Sequence, residues 1–216
     1  MCEFLSGIAQ RNGDVIALPE ATHSHSDLIR YLGLKDENPE LRQWVRVEFS
    51  PSQASDLDEV DKYKLKLDDF HPVWWDDVQE TVEKNMRRMV TQIIVAEDRD
   101  ILLGGFWIVG KGIKVNVAKN VRIYAMLDSS QVGKMWDSSQ VGEMWGSSQV
   151  GEMWGSSQVG KMCCLSQVGK MCCLSQVGEM CGSSQVGKMW DSSQVRSDSR
   201  LKKVKAKNSV TVAASK

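Results

Sequence analysis

From residue 128 onward a valine returns every nine residues without exception, at Val132, Val141, Val150, Val159, Val168, Val177, Val186 and Val195. A methionine follows three residues after the first seven of them, at Met135, Met144, Met153, Met162, Met171, Met180 and Met189. The units read DSSQVGKMW, DSSQVGEMW, GSSQVGEMW, GSSQVGKMC, CLSQVGKMC, CLSQVGEMC, GSSQVGKMW and DSSQV. Nine residues make about 2.5 helical turns, so successive valines on a helix would face opposite sides and no apolar stripe would form. Glycine and paired serines are also poor helix formers. Disorder is the stronger competitor for a Gly- and Ser-containing repeat. Against it, each full unit carries Val and Met plus a Trp or Cys, more apolar matter than disordered repeats hold.

The pattern predicts short extended segments stacked in register. Within Ser-Gln-Val, Ser and Val share one face of a strand and Gln takes the other. Gly and Lys or Glu then turn the chain and Met re-enters the interior. The expected core is Val132, Met135, Val141, Met144, Val150, Met153, Val159, Met162, Val168, Val177 and Val186. Two nonapeptides make one coil of about 18 residues, as in nonapeptide β-rolls. The fold class expected is therefore an α+β N-terminal domain followed by a C-terminal parallel β-solenoid. Ile123 and Met126 keep the phase upstream and Val204 downstream. The array then starts near residue 119 and gives roughly four to five coils. Whether the coil has two sides or three is left open.

An 18-residue coil stacks Lys134, Glu152, Lys170 and Lys188 on one side and Glu143, Lys161 and Glu179 on the other. It lines Trp136, Trp154, Cys172 and Trp190 along one edge, and Trp145, Cys163 and Cys181 along the other. Tryptophans facing outward would make an apolar strip of the kind that marks a partner surface. Folded over the corners, they would be core. The candidate partner surface comprises Trp136, Trp145, Trp154 and Trp190 with Lys134, Glu143, Glu152 and Lys161.

Residues 1–112 form the expected α+β domain, 113–200 the solenoid and 201–216 a basic cap or tail. Residues 3–19 read as a hairpin, with Asn12-Gly13 suited to a type I′ turn. Ser24 to Leu34 reads as a short helix capped by Ser24 or Ser26. Gln43–Phe49 and Lys62–Leu67 alternate as half-buried strands. Pro72 opens a long helix over 73–95, whose stripe is Val78, Val82, Met86, Met89, Val90 and Ile93. Ile101–Val109 reads as one buried strand leading out of the domain.

Catalytic chemistry is hard to find. His23, His25 and His71 flank a helix cap or precede a proline and read as loop residues. The cluster Asp56, Asp58, Glu59 and Asp61 lacks the glycine and closing glutamate of a calcium loop. Gly104-Gly105 lies inside a strand with no helix behind it, unsuited to phosphate binding. The Cys residues at 163, 164, 172, 173 and 181 fall where other repeats carry Trp, Asp, or Gly, so they read as repeat variants. Without a C-x-x-C or a nearby His they predict no metal site, and no motif implies a cofactor. Free thiols fit a reducing compartment.

No apolar run of about 18 residues exists, so no membrane helix is expected. The N-terminus has no signal-peptide pattern, which leads to the expectation of a cytoplasmic protein. Residues 1–112 hold 13 Lys/Arg against 21 Asp/Glu, and residues 113–216 hold 14 against 7. Residues 196–216 carry 7 basic and 1 acidic residue. Such a tail can contact phosphate or an acidic partner, or can serve as a solvated end that prevents stacking of solenoids.

The run SSQVGEMW, behind HSDLI, WVRVEFSP and LLGGFWIV, resembles uncharacterised repeat proteins of gut bacteria and their phages. The resemblance spans nearly the whole chain and implies a phage or prophage origin, but no activity, substrate or site. The leading expectation is a non-enzymatic binding or structural protein whose solenoid serves self-association or a protein partner. A phage inhibitor docking through the acidic N-terminal domain is the second, and an enzyme with its site in that domain the third. An ice-binding face ranks last, because alternating charges and bulky tryptophans suit it poorly.

Overall fold

The computed structural model describes residues 5–19, 21, 22, 24–35, 42–198, 205, 206, 211 and 212. The chain divides into two compact units, Met1–Ile93 and Ile94–Lys216.

In the first unit, β1 (Leu5–Gln10), β2 (Val15–Ile16), β3 (Trp44–Pro51) and β4 (Tyr63–Leu67) form an antiparallel sheet in the order β2-β1-β3-β4. The hairpin turn differs from expectation. Gly13 has φ +85 and Asn12 is not left-handed, so this is not a type I′ turn. The Gly13 N–H donates to Gln10 O, and Asn12 Oδ1 accepts from the Asp14 N–H, making a longer, side-chain-braced loop.

Helix α1 (His25–Tyr31) is capped by Ser24, whose side chain accepts from the Asp27 N–H. Helix α2 (Trp75–Ile93) starts two residues later than Val73, which stays exposed. Val82, Met86 and Val90, spaced four apart, are its fully buried stripe. β3 was expected to bury one face, yet Trp44 and Glu48 are buried as well as Val45, Val47 and Phe49. The reason is a helix on each side. Leu28 of α1 packs with Ile8 and Trp44, while Met86 of α2 lies against Gly7 and Arg87 sits over the Phe49 ring.

The second unit is a parallel solenoid with two sides. Its strands are β5 (Ile94–Val95), β6 (Arg99–Leu103), β7 (Phe106–Val109), β8 (Lys114–Lys119), β9 (Arg122–Met126), β10 (Gln131–Trp136), β11 (Gln140–Met144) and β12 (Gln149–Met153). They continue as β13 (Gln158–Met162), β14 (Gln167–Met171), β15 (Gln176–Met180), β16 (Gln185–Met189), β17 (Gln194–Asp198), β18 (Lys205–Ala206) and β19 (Thr211–Val212). Even-numbered strands from β6 to β18 form a seven-stranded sheet and odd-numbered strands from β5 to β19 an eight-stranded one. Alternate nonapeptides thus fall in alternate sheets, and Val132 stands on Val150, then Val168, then Val186.

Three expectations change here. The unit boundary falls at 93/94, not 112/113, because β5 to β9 already pair in parallel with the later strands. The array is correspondingly longer than one starting near residue 119. Ile101–Val109 is two strands in different sheets, since Gly104 (φ +58) and Gly105 (φ +75) turn the chain between them. Val204 lies outside the described residues. Within the segment expected as a tail, β18 and β19 extend the sheets, and Val212 takes the place beside Val195.

Every expected core Val and Met is buried, and together they form one continuous cluster. In a regular strand inward positions are two apart, whereas Val and Met are three apart. The Gly-Lys or Gly-Glu pair between them stays outside the buried core. The serines before Gln at 130, 139, 148, 157, 166, 175 and 193 point inward as expected and are buried, while Ser184 is half-buried. The Ser139 and Ser193 hydroxyls donate to the carbonyls of Trp136 and Trp190, closing the corner behind them.

The glycine in Gln-Val-Gly is fixed by close contact. A Cβ on Gly151, Gly160, Gly169 or Gly178 would lie 2.5–2.6 Å from the carbonyl oxygen of the glycine one coil earlier. Backbone cannot yield as a side chain can. Gly160→Ala is therefore expected to lower stability by about 1–3 kcal/mol, read as the shift in urea midpoint. An unchanged midpoint would mean that the coils do not stack this closely.

Candidate functional site

The outward face of the seven-stranded sheet carries the expected ladder, with Lys134 beside Glu152, Glu152 beside Lys170, and Lys170 beside Lys188. On the other sheet Glu143 stands beside Lys161 and Lys161 beside Glu179. Lys170 Nζ lies 2.8 Å from Glu152 Oε1, and the Trp154 indole N–H donates to Glu152 Oε2 at 3.1 Å. The lysine first, and then the indole, hold the Glu152 carboxyl below its ordinary range. This pair is largely exposed and contributes little to stability.

Between the charges runs a feature that the sequence reading did not foresee. Because Gly133, Gly151, Gly169 and Gly187 have no side chains, they floor an open groove of about 790 Å³ along the stack. Its walls are Lys134, Glu152, Lys170 and Lys188, with Asn116 and Val117 at one end. The signal was present in the 18-residue spacing of the glycines. Seeing a groove in it needed the two-sided section.

The tryptophans resolve between the two alternatives. They sit on the corners, Trp154 half-buried and Trp136 exposed at 38%. Trp136 and Trp154 stack nearly parallel, ring centroids 5.6 Å apart. Leu165 and Leu174 stand exposed on the corners where neighbouring coils carry serine. Trp145 and Trp190 are also half-buried corner residues.

The five cysteines of the repeat gather on the two corners. Cys163 and Cys181 face each other across adjacent coils, their sulfurs 3.0 Å apart. Cys172 Sγ donates to Asp191 Oδ2 at 3.0 Å and lies 3.5 Å from Cys173 Sγ. Burial pushes the Cys163 thiol up to about 12, the neighbouring Cys181 adding to it. The Asp191 carboxylate pushes Cys172 up to about 12. Cys164 and Cys173 hold left-handed backbone, φ +59 and +63, in a corner position that takes glycine in the coils at Gly146, Gly155 and Gly182. The reading of these residues as mere repeat variants is incomplete, because Cys172, Cys173 and Asp191 present donors within 4.8 Å of one another.

In the N-terminal unit His23 lies outside the described residues. His25 is not in a loop, but is the buried first residue of α1. Its Nδ1 lies 3.3 Å from Asp68, and its Nε2 3.0 Å from Val47 O. Glu48 nearby engages Lys66 at 3.2 Å. His71 pairs with Asp76 at 3.1 Å. The acidic cluster is braced by Lys62, which reaches Asp56 at 3.0 Å and Glu59 at 2.8 Å. A hollow of about 610 Å³ is lined by Ala17, Leu18, Pro19, Ala21, Thr22, Asp27 and Tyr31. Among the described lining residues the carboxylate is Asp27, which already meets Thr22 and Arg30. Among the described residues no helix is long and apolar enough to cross a membrane.

No family model matches this chain, and neither does any curated protein or solved structure.

The thiols should differ in reactivity, because alkylation proceeds through the thiolate. In metal-free, reduced protein at mildly alkaline pH, the exposed Cys164 is expected to be alkylated first and Cys163 and Cys172 last, followed by peptide mass spectrometry. Equal rates at Cys163 and Cys164 would contradict the burial assigned to Cys163.

Proposed function

We propose that this protein is a non-enzymatic binding or structural protein whose solenoid offers a repeating surface to a second copy or to a protein partner. The single observation that carries the reading is the glycine-floored groove with its charged walls, repeated once per coil. A ligand for a small-molecule site is met by a few convergent polar groups in an enclosed cleft. This groove is open and periodic, and its charges Lys134, Glu152, Lys170 and Lys188 recur at the strand spacing. Such a surface suits an extended partner that can repeat the same contacts coil after coil. Near-identical units favour selection on length and surface, in keeping with a phage or prophage origin. A cytoplasmic location remains part of this proposal, as does a minor role for the basic segment 196–216 in phosphate contact.

Light scattering of the full chain over about a hundredfold range of concentration tests the self-association arm. The mass of the wild type is expected to rise above 24.2 kDa, and that of Lys170→Glu/Lys188→Glu to rise less. If both stay monomeric, capture of a purified host partner that is lost in this variant would support the partner arm. Capture that survives the variant and follows the N-terminal unit would move the function to that unit.

A further inference from the structure

The corner formed by Cys172, Cys173 and Asp191 belongs neither to the groove nor to the core. Consecutive residues of an extended strand point to opposite sides. Here the left-handed backbone at Cys173 (φ +63) turns two consecutive sulfurs to the same side, 3.5 Å apart. One coil later Asp191 occupies the same corner position, also left-handed at φ +55. It brings Oδ2 to 3.0 Å from Cys172 Sγ and 3.4 Å from the Cys173 N–H.

We propose that Cys172, Cys173 and Asp191 form a binding site for a thiophilic divalent cation of the zinc class, with a fourth coordination position open to solvent. The donor set and its spacing carry this. With metal–sulfur bonds of about 2.3 Å and metal–oxygen bonds of about 2.0–2.2 Å, donors on a tetrahedron stand about 3.4–3.8 Å apart. Cys172 Sγ stands 3.5 Å from Cys173 Sγ and 3.0 Å from Asp191 Oδ2, and all three donors lie within 4.8 Å of one another, so side-chain shifts of up to about 1 Å complete the geometry. Two thiolates and a carboxylate select a soft or borderline cation over calcium or magnesium.

The cation replaces the proton that Cys172 now shares with Asp191. As the two sulfur–metal bonds form, both thiol protons leave to water. The carboxylate that opposes ionisation of Cys172 in the empty corner becomes a ligand, since a bound cation inverts the local electrostatics. Cys172 and Cys173 are half-buried and Asp191 is exposed, which leaves a path for entry. The residues eighteen positions from Cys172 on either side are Trp154 and Trp190, both half-buried.

The test is titration of the reduced full chain with cobalt(II), followed by the sulfur-to-cobalt charge-transfer band and the strong ligand-field bands of a tetrahedral site, with zinc(II) as competitor. One equivalent is expected to bind with both signatures and to be displaced by zinc. Cys172→Trp/Cys173→Gly writes into this corner the pair found at Trp154-Gly155, so the coil keeps its fold, and it is expected to abolish the charge-transfer band. Asp191→Gly, matching Gly155, should weaken binding by at least about tenfold. Cys163→Trp/Cys164→Gly, altering the opposite corner, should leave the titration unchanged. Circular dichroism of each variant verifies folding. A band that survives in Cys172→Trp/Cys173→Gly, wild-type affinity in Asp191→Gly, or no thiolate band in the wild type at about millimolar cobalt would each overturn the proposal.

Discussion

Positions eighteen residues apart stand directly on one another, and the backbone of each coil rests against the glycine of the next. The 2.5–2.6 Å approach that a Cβ would make to the preceding carbonyl shows how little space is left there. From this one contact follow the in-register ladders, the dry interior of Val and Met, and the groove along the seven-stranded sheet. Parallel strands gain their full set of hydrogen bonds only from neighbours above and below. No single nonapeptide can therefore hold its shape, and the stack stands or falls as an array.

Much of this was written plainly in the chain. Val and Met at fixed phase specified which side chains enter the core, and the pairing of two nonapeptides specified that Lys134 would meet Glu152 and that Glu143 would meet Lys161. The start of the solenoid was not legible. In β5 to β8 the inward positions are filled by Val95, Leu102, Val109, Val115 and Ala118, apolar residues without the repeat's wording. Parallel pairing needs only their shape. The turn at Gly104-Gly105 was equally hidden, because a run of apolar residues on both sides reads as one strand until the backbone reverses. In β3, Trp44 and Glu48 looked solvent-facing by alternation. A second helix covers them.

The outward surface of the solenoid combines monotony with exception. Most coils repeat Gln, Gly and a charged residue outward, which yields a surface with one contact pattern many times over. The coils spanning residues 163–181 depart from it: cysteine replaces tryptophan and aspartate or glycine, and Leu165 and Leu174 replace serine. These changes fall on the corners, where they leave the core Val and Met untouched. The fold thus tolerates new chemistry at its corners at little cost to the stack, and the cysteine cluster with Asp191 lies where such tolerance is greatest.

The central claim is tested most directly by paired nitroxide labels on exposed glutamines of the wild-type background, attached through a ketone-bearing residue so that the native cysteines stay unmodified. Gln149 and Gln167 are register partners in one sheet, about 4.8 Å apart at the backbone, whereas Gln149 and Gln158 lie on opposite sheets, at least about 10 Å apart. A two-sided stack of eighteen-residue coils predicts strong dipolar broadening for the first pair and little for the second. Equal broadening in the two pairs, or none in the first, would contradict it.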